Sequence, residues 1–596
     1  MNPTHSTFSN MIFQLRKSYS FDKCILFSVM LRVCSSSLIP LFSSLLISQV
    51  ITMVSTNKPI STLFVRITVL SIVTLLLNII NNYAESKIKY DAMFVRLKYL
   101  SLIADKTMDA DFQNIEKTEG QLLGQRAKDA VYASNSGVEQ FFSLLSNTIS
   151  SFVGIITYSI LLANCSPWLI GVLLGFGLID YVINAQYTKW QYRNRDDKAV
   201  LDRCLNYVNT KSENYHAAKD IRLFSMLTWL ESIHQELLSS RMLWINKEES
   251  KQLKTRFACL SAAFARDSIA FCVLVSQITS NQMQASDFAF YFTLMGQFSV
   301  WVNSLMSNLV ALKTASNAVE DIRQFLNMPN EFNRDTNKPI PDDVRTITFE
   351  NVSFRYPNAE KETLKNLNFT IQKGDKLAIV GVNGAGKSTI VKLLCGLYTP
   401  TSGRILINNV DIRNYNIIDY YSLFSVVFQD IYLIPTTISK NITLEKQASI
   451  NYPKLFDCMS LSGLLHKVLA LVDKEESILL KGVHEKGIEI SGGERQKLAL
   501  ARALYKSGRV VVLDEPTAAL DPIAESNLYQ EYNRFAAERT SVYISHRLAS
   551  TRFCDYIFFL ENGCIIEKGN HNQLMNLNGR YADLFRVQSQ YYREGE

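Results

Sequence analysis

The sequence predicts an α-helical membrane domain followed by an α/β domain. Three observations predict it. Long uncharged runs are confined to the first half, a proline-rich polar stretch divides the chain, and beyond it apolar strand runs alternate with helical ones. The 596 residues are 47% hydrophobic and 20% charged, against roughly 25% charged in soluble domains. This composition excludes a disordered, collagen-like or disulfide-scaffold chain. A net charge of +7 is small for the length and is no signature of nucleic-acid binding.

Residues 33–57, 67–84, 140–179, 269–286 and 288–312 carry no charge. About 20 helical residues cross the ~30 Å hydrocarbon core of a bilayer. The run 140–179 contains Asn164-Cys165-Ser166-Pro167, a turn cluster, and therefore reads as a hairpin of two helices. Thr279-Ser280-Asn281 divides the later stretch in the same way. Six transmembrane helices are expected, near 22–53, 61–83, 138–163, 168–187, 257–280 and 287–314. Between them lie two charge-dense segments, 85–137 and 188–256. Lys87, Lys89, Arg96 and Lys98 in the first, and Lys189, Arg193, Arg195 and Lys198 in the second, mark the cytoplasmic side. Both termini are expected there too, with the membrane helices extended far into the cytoplasm. The ten cysteines are scattered without a CxxC pair, so free thiols in apolar surroundings are expected. No secretory signal peptide is evident.

The polar stretch 327–345, with Pro329, Pro339 and Pro341, reads as a linker between domains 1–326 and 346–596. Thr346 to Glu350 alternates as a strand should. Leu377-Ala378-Ile379-Val380 is a buried-strand run that leads into Gly381-Val382-Asn383-Gly384-Ala385-Gly386-Lys387-Ser388 and then a helical stretch from Thr389 to Cys395. This is GxxxxGKS in a strand–loop–helix context, a phosphate-binding loop. Glycines let backbone N–H groups close round phosphates, and the helix N-terminus adds positive potential. Lys387 would reach the β- and γ-phosphates of ATP, and the Ser388 hydroxyl would hold Mg²⁺. A second apolar strand, Val510 to Leu513, delivers Asp514 and Glu515 to a sheet edge. Asp514 would hold Mg²⁺ through water and Glu515 would act as general base. The second half is thus expected to be an α/β P-loop ATPase domain.

Ser491-Gly492-Gly493-Glu494-Arg495-Gln496, just upstream of that strand, resembles the signature motif of ATP-binding cassette (ABC) proteins. Asp514 to Asp521 resembles the run from Walker B into the D-loop. Gln429 matches the Q-loop glutamine, His546 the switch histidine, and Tyr356 the aromatic that stacks on adenine. The resemblance implies that Gln429 assists catalysis and Mg²⁺ binding, that His546 is catalytic, and that Asp521 belongs to the nucleotide site. Its signature departs from the commoner pattern at Ile490 and Glu494, where Leu and Gln are usual. Six helices fused ahead of one cassette resemble the half-transporter exporters. That likeness implies a homodimer in the cytoplasmic membrane, with each ATP closed between one chain's P-loop and the partner's Ser491, Gly492 and Gly493. It also implies coupling helices near Asp109–Gly120 and His216–Met226, the second crossing to the partner, and alternating access. Several peptide exporters carry an N-terminal peptidase domain. Only about 20 residues precede the first expected span here, so the chain is not expected to trim its cargo.

Lys219 to Leu223 and the general layout resemble bacterial lantibiotic-type peptide exporters, which implies an amphipathic or peptide-like cargo. A lipid or multidrug exporter and a same-fold importer of metal chelates are the alternatives. A non-transporting regulator is opposed by the presence of Glu515 and His546. Arg32, Arg66, Asp180, Arg266 and Asp267 lie within expected helices, where they either line a cargo cavity or pair structurally. Phe288, Tyr291, Phe292, Phe298 and Trp301 either pack or meet cargo.

Overall fold

The uncharged runs form helices, and two of these continue far past the ~20 residues that a bilayer needs. The computed structural model describes residues 5–55, 59–132, 137–163, 167–213, 217–280, 284–334, 338–357, 359–480, 482, 484–514, 539–545 and 548–593. Contacts divide the chain into two units, Met1–Met108 with Leu122–Asn327, and Asp109–Gln121 with Met328–Glu596.

The first unit is helical. It contains α1 (Thr7–Phe21), α2 (Ile25–Ser55) and α3 (Ile60–Asp109), after which α4 (Phe112–Glu116) belongs to the second unit. The helices α5 (Thr118–Tyr132), α6 (Gly137–Ala163), α7 (Pro167–Arg193), α8 (Arg195–Glu213), α9 (Ala218–Leu223), α10 (Leu227–Thr279) and α11 (Ala285–Leu326) follow. Among the described residues five helices are long and apolar enough to cross a membrane: Ile25–Met53, Ser61–Asp109, Gly137–Ala163, Pro167–Gln191 and Leu227–Thr279. The sixth expected span is helical within α11 but less apolar, because Gln297, Ser299, Asn303, Ser304, Ser307 and Asn308 interrupt it. With 50 and 53 residues, α3 and α10 run roughly 75–80 Å at about 1.5 Å per residue.

Small residues set how closely these helices approach, as is usual where lipid gives no hydrophobic drive between them. A Cβ on Gly137 of α6 would lie 2.8 Å from the Ala318 methyl of α11, and one on Gly154 would lie 2.7 Å from the Trp301 ring. Trp301 and Phe298 are buried, so these two aromatics pack. Phe288 and Phe292 stack on each other at 6.0 Å. Structural pairing also accounts for most of the helix charges. Arg32 meets Glu85 at 3.4 Å, Arg66 donates to Gln49 at 3.1 Å, and the buried Arg266 meets Asp267 at 2.9 Å. Asp180 is buried as well. Nine cysteines are free, and Cys165 lies outside the described residues. Among the described residues Cys395, Cys458 and Cys554 are buried, while Cys24, Cys34, Cys204 and Cys272 are exposed, Cys34 and Cys272 on helices long and apolar enough to cross a membrane.

Among the described residues the second unit has two sheets. Strands β1 (Thr346–Phe354), β2 (Leu364–Gln372), β3 (Lys376–Gly381), β4 (Ser402–Ile407) and β5 (Val410–Asp411) come first. They are followed by β6 (Phe424–Val427), β7 (Val510–Asp514), β8 (Thr540–Ile544), β9 (Tyr556–Glu561) and β10 (Cys564–Gly569). An antiparallel sheet runs β2-β1-β4-β5, and a six-stranded sheet runs β10-β9-β3-β8-β7-β6, parallel except at β10. All of β7 is buried, as expected of a parallel strand covered on both faces. Besides α4, the helices of this unit among the described residues are α12 (Lys387–Leu394), α13 (Ile417–Ser422), α14 (Ile438–Thr443), α15 (Tyr452–Leu461), α16 (Leu465–Leu469), α17 (Gly492–Lys506), α18 (His571–Leu577) and α19 (Arg580–Arg593). The proline-rich stretch is not a bare tether. Phe332 and Val344 are buried in this unit's core, and Asp111 accepts the Phe332 N–H at 3.1 Å.

Gly154→Ala tests the close approach of α6. The added methyl overpacks a rigid indole, which costs about 1–3 kcal/mol. The detergent-solubilised protein should melt several degrees lower, and an unchanged melting temperature would show that Trp301 swings clear.

Candidate nucleotide site

The strand β3 ends in a loop that only this glycine pattern permits. Gly381 has φ +148°, and a Cβ there would lie 2.1 Å from the Leu560 carbonyl oxygen of the neighbouring strand. Gly386, the residue before α12, has φ +105°, a left-handed conformation that side chains resist. The loop thereby turns its backbone toward the start of α12, where unsatisfied N–H groups favour anions. Lys387 is 5% exposed, yet its ammonium is well solvated by protein. It donates to the carbonyls of Gly381 at 3.0 Å and Val382 at 3.1 Å.

Around this loop opens a cleft of about 490 Å³ lined by Tyr356, Asn383, Gly384, Gly386, Lys387, Ser388, Thr389 and Gln429, with Thr363 beside them. Eight residues predicted from sequence thus converge. Ser388 Oγ donates to Asp514 Oδ1 at 3.2 Å, so the hydroxyl and the buried carboxylate at the end of β7 share one spot. These hard oxygen donors suit Mg²⁺. Tyr356 lies on the cleft wall, its hydroxyl 3.0 Å from Thr389 Oγ1 and its ring edge-on to Phe354 and Tyr398. Ala385 is not among the cleft-lining residues: its methyl is buried in the core and its N–H donates to Val382 O at 3.2 Å. Glu515, Asp521 and His546 lie outside the described residues.

Ser491, Gly492 and Gly493 do not line this cleft. Ser491 is the exposed N-cap of α17, in a full capping box. Its Oγ accepts the Glu494 N–H at 3.3 Å while its own N–H donates to Glu494 Oε2 at 2.8 Å. An Oγ that accepts from its own helix keeps its proton free to point outward. Both departures from the usual signature now have a physical reading. Ile490 is buried in the core, and Glu494 serves as the box's third residue and as a partner of Lys467 at 3.1 Å. Burial alone would raise the Glu494 carboxyl, but the Ser491 N–H and Lys467 outweigh it and hold it below the usual range. A depressed carboxylate stabilises the fold at neutral pH, and that contribution is lost as pH falls through its folded value.

Sequence reasoning missed a cluster behind Tyr356. Lys392 Nζ lies 5.5 Å from the Tyr398 ring centre and 5.8 Å from those of Tyr356 and Phe112. Phe112 of α4 meets Tyr398 edge-on at 5.8 Å, and Gln113 Oε1 accepts from the Thr399 N–H at 3.2 Å and the Thr399 hydroxyl at 3.1 Å. The segment expected near Asp109–Gly120 is thus seated beside the aromatic wall of the cleft.

Residues 364–518 match the protein-family model described as ABC transporter. The second unit is the ATPase domain of an ABC transporter. It is fused here to an N-terminal membrane-type helical domain. The chain is 25% identical over 582 residues to the subtilin transport ATP-binding protein SpaT of Bacillus subtilis, covering 95% of this chain and 91% of that protein. It is 33% identical over 302 residues to an ATP-dependent lipid A-core flippase of Methylobacillus flagellatus, spanning about half that relative's length (51%) and 49% of this chain. In fold it resembles a bacterial Atm1-family ABC exporter solved with ATP bound, at a TM-score of 0.80, 20% identity and coverage of 95% of this chain and 98% of that one.

Lys387→Ala removes the ammonium that this loop holds in place. ATP binding to the ABC transporter, read by nucleotide-dependent fluorescence or calorimetry, should be lost together with hydrolysis. Wild-type turnover in this variant would place the nucleotide elsewhere.

Proposed function

We propose that the protein is an ATP-driven exporter of an amphipathic or peptide-like cargo, working as a homodimer in the cytoplasmic membrane. One observation carries the choice of cargo. The subtilin transporter matches 95% of this chain, membrane helices included, whereas the lipid A flippase matches 49%. Cargo contacts reside in the helical half, so the relative that extends across it bears most on cargo. The name of that relative agrees with the lantibiotic-type likeness of the layout. Lipid export remains the second reading because several relatives are lipid A flippases.

The site supports the following cycle. ATP lies with its base against Tyr356 and its β- and γ-phosphates between the loop amides and Lys387. Mg²⁺, held by Ser388, Asp514 and Gln429, would neutralise phosphate charge. The exposed Ser491 hydroxyl and the Gly492–Gly493 amides of a second copy close over the γ-phosphate, which explains why they do not line their own chain's cleft. Glu515 accepts the proton of the attacking water, and His546 orients the γ-phosphate. Closure is favoured because ATP binds the closed pair more tightly than the open one. The six helices, with α11 supplying the sixth span and the long extensions on the cytoplasmic side, convert that closure into outward turning. The segments near Asp109–Gly120 and His216–Met226 carry the motion. Of the second segment, α9 and the exposed Leu223 and Phe224 are described, and His216 is not.

Purified protein in liposomes decides between the cargo readings. A lantibiotic-type peptide should stimulate ATP hydrolysis and accumulate inside inverted vesicles, while lipid A or phospholipid should do neither. Stimulation by lipid alone would favour the second reading. Ser491→Arg should leave ATP binding by the separate subunit nearly unchanged and stop ATP-driven pairing, seen by cross-linking. Equal loss of binding would refute the shared site. Glu515→Gln should keep ATP binding while slowing turnover by about 10²–10⁴, the usual worth of a general base. Mg²⁺-ATP should then trap a paired state that melts higher than the wild type. Turnover above roughly a tenth of wild type, well outside that range, would make another group the base.

A further inference from the structure

The helix α1 carries its amphipathic pattern inside out. Asn10, Gln14 and Ser18, at four-residue spacing, form its buried stripe. Gln14 Oε1 accepts the Tyr99 hydroxyl at 2.8 Å, and the Asn10 amide donates to Ser316 O at 3.5 Å. Phe8, Ile12 and Tyr19 face outward, Phe8 being 71% exposed. A helix bathed in water buries its apolar side instead. One lying in the boundary layer of a bilayer turns it outward. Only Asp22, Lys23 and Cys24 separate α1 from the span Ile25–Met53, which places α1 at the end of a membrane helix.

Beside that apolar face lies a cleft of about 590 Å³ between α1 and the end of α11, lined by Phe8, Ile12, Phe13, Arg16, Lys17 and Arg323 among others. Arg323 is fixed by neutral partners. It donates to Ser9 Oγ at 2.9 Å and Asn10 Oδ1 at 3.4 Å, and its guanidinium lies 5.1 Å from the centre of the Phe13 ring. Glu320, one turn away on α11, is engaged by His5 at 3.2 Å and Gln324 at 2.7 Å. Arg16 and Lys17 of α1 and Arg323 of α11 therefore border a cleft that α1 also lines with Phe8, Ile12 and Phe13, with Ser6, Ser9 and Ser20 between them. That combination suits a ligand with an anionic head and a hydrocarbon tail.

We infer that the cleft between α1 and Arg323 binds the phosphate headgroup of an anionic phospholipid of the adjoining leaflet, with its acyl chains along Phe8 and Ile12. This is independent of which cargo the protein moves. The full-length protein is placed in nanodiscs of phosphatidylcholine with a minor fraction of phosphatidylglycerol, extracted in mild detergent, and its retained lipid read by native mass spectrometry. The wild type should retain phosphatidylglycerol selectively. Arg16→Gln with Lys17→Gln, both exposed side chains, should reduce that preference about thirtyfold, as expected from losing two juxtamembrane cations. Lys440→Gln, a cation of the ATPase domain, should leave it unchanged, and matched melting temperatures establish that the variants fold. Inorganic phosphate should not displace the lipid. Undiminished preference in the double variant, or displacement by phosphate, would overturn the assignment, the latter by marking a site for small free anions.

Discussion

The ATPase domain is organised round one buried ammonium. Lys387 sits 5% exposed in a medium where an unsatisfied charge is costly, so its loop must bring carbonyls to it. Gly381 and Val382 do so at 3.0 and 3.1 Å, and that return of the chain is possible only because Gly381 and Gly386 adopt positive φ. The strand order then supplies the rest. The end of β7 lies two strands from β3 across β8, roughly 10 Å at about 4.8 Å per strand, which is the reach over which Ser388 meets Asp514. Placing a phosphate beside Lys387 therefore requires no new structure, only an exchange of hydrogen-bond partners.

A second network ties this cleft to the segment Asp109–Gln121. Lys392 stands among the rings of Phe112, Tyr356 and Tyr398, and also lies 3.7 Å from Glu116. One cation thus feels both the wall against which adenine is proposed to stack and the short helix α4. Each cation–π contact is worth only about 0.5–1 kcal/mol when partly exposed. Three converging on one group, with Gln113 fixed on Thr399, make α4 and the Tyr356 wall a shared packing unit. A ligand that reorients Tyr356 must therefore be felt at α4.

How much of this the sequence revealed follows from the range of the interactions. The strand–loop–helix at 377–395 is local, and its residues fell where the pattern put them. The signature was legible as a motif, whereas its S-x-x-E spacing, which forms a capping box at the start of α17, was not read as a helix start. Loop membership did not reveal that the Ala385 methyl packs into the core, because a local pattern does not say which way a side chain points. The Phe112–Tyr398 contact was invisible, since it joins residues 286 apart that share no motif. The helix α1 went unseen for another reason: its buried stripe is polar while Phe8, Ile12 and Tyr19 are exposed beside Arg16 and Lys17, which defeats any reading that takes apolar periodicity as the inside.

The same inversion explains why the two halves of the chain demand different rules. In the ATPase domain, burial tracks apolar character, and β7 is hydrophobic from Val510 to Leu513, before its terminal Asp514, because both its faces are covered. In the helical unit Phe64, Leu75, Phe152, Ile160 and Leu178 are exposed, while Ser44, Ser146 and Ser151 are buried. Hydrophobicity there marks what faces lipid, and small residues mark what faces protein. Gly137 and Gly154 on α6 follow that rule against Ala318 and Trp301. Hydropathy could consequently place spans but not their faces, and α11 shows the cost. It is the helix with the most intimate partner in α6, carries the serines and asparagines that such packing tolerates, and is for that reason the one whose apolar content falls short of a lipid-facing span.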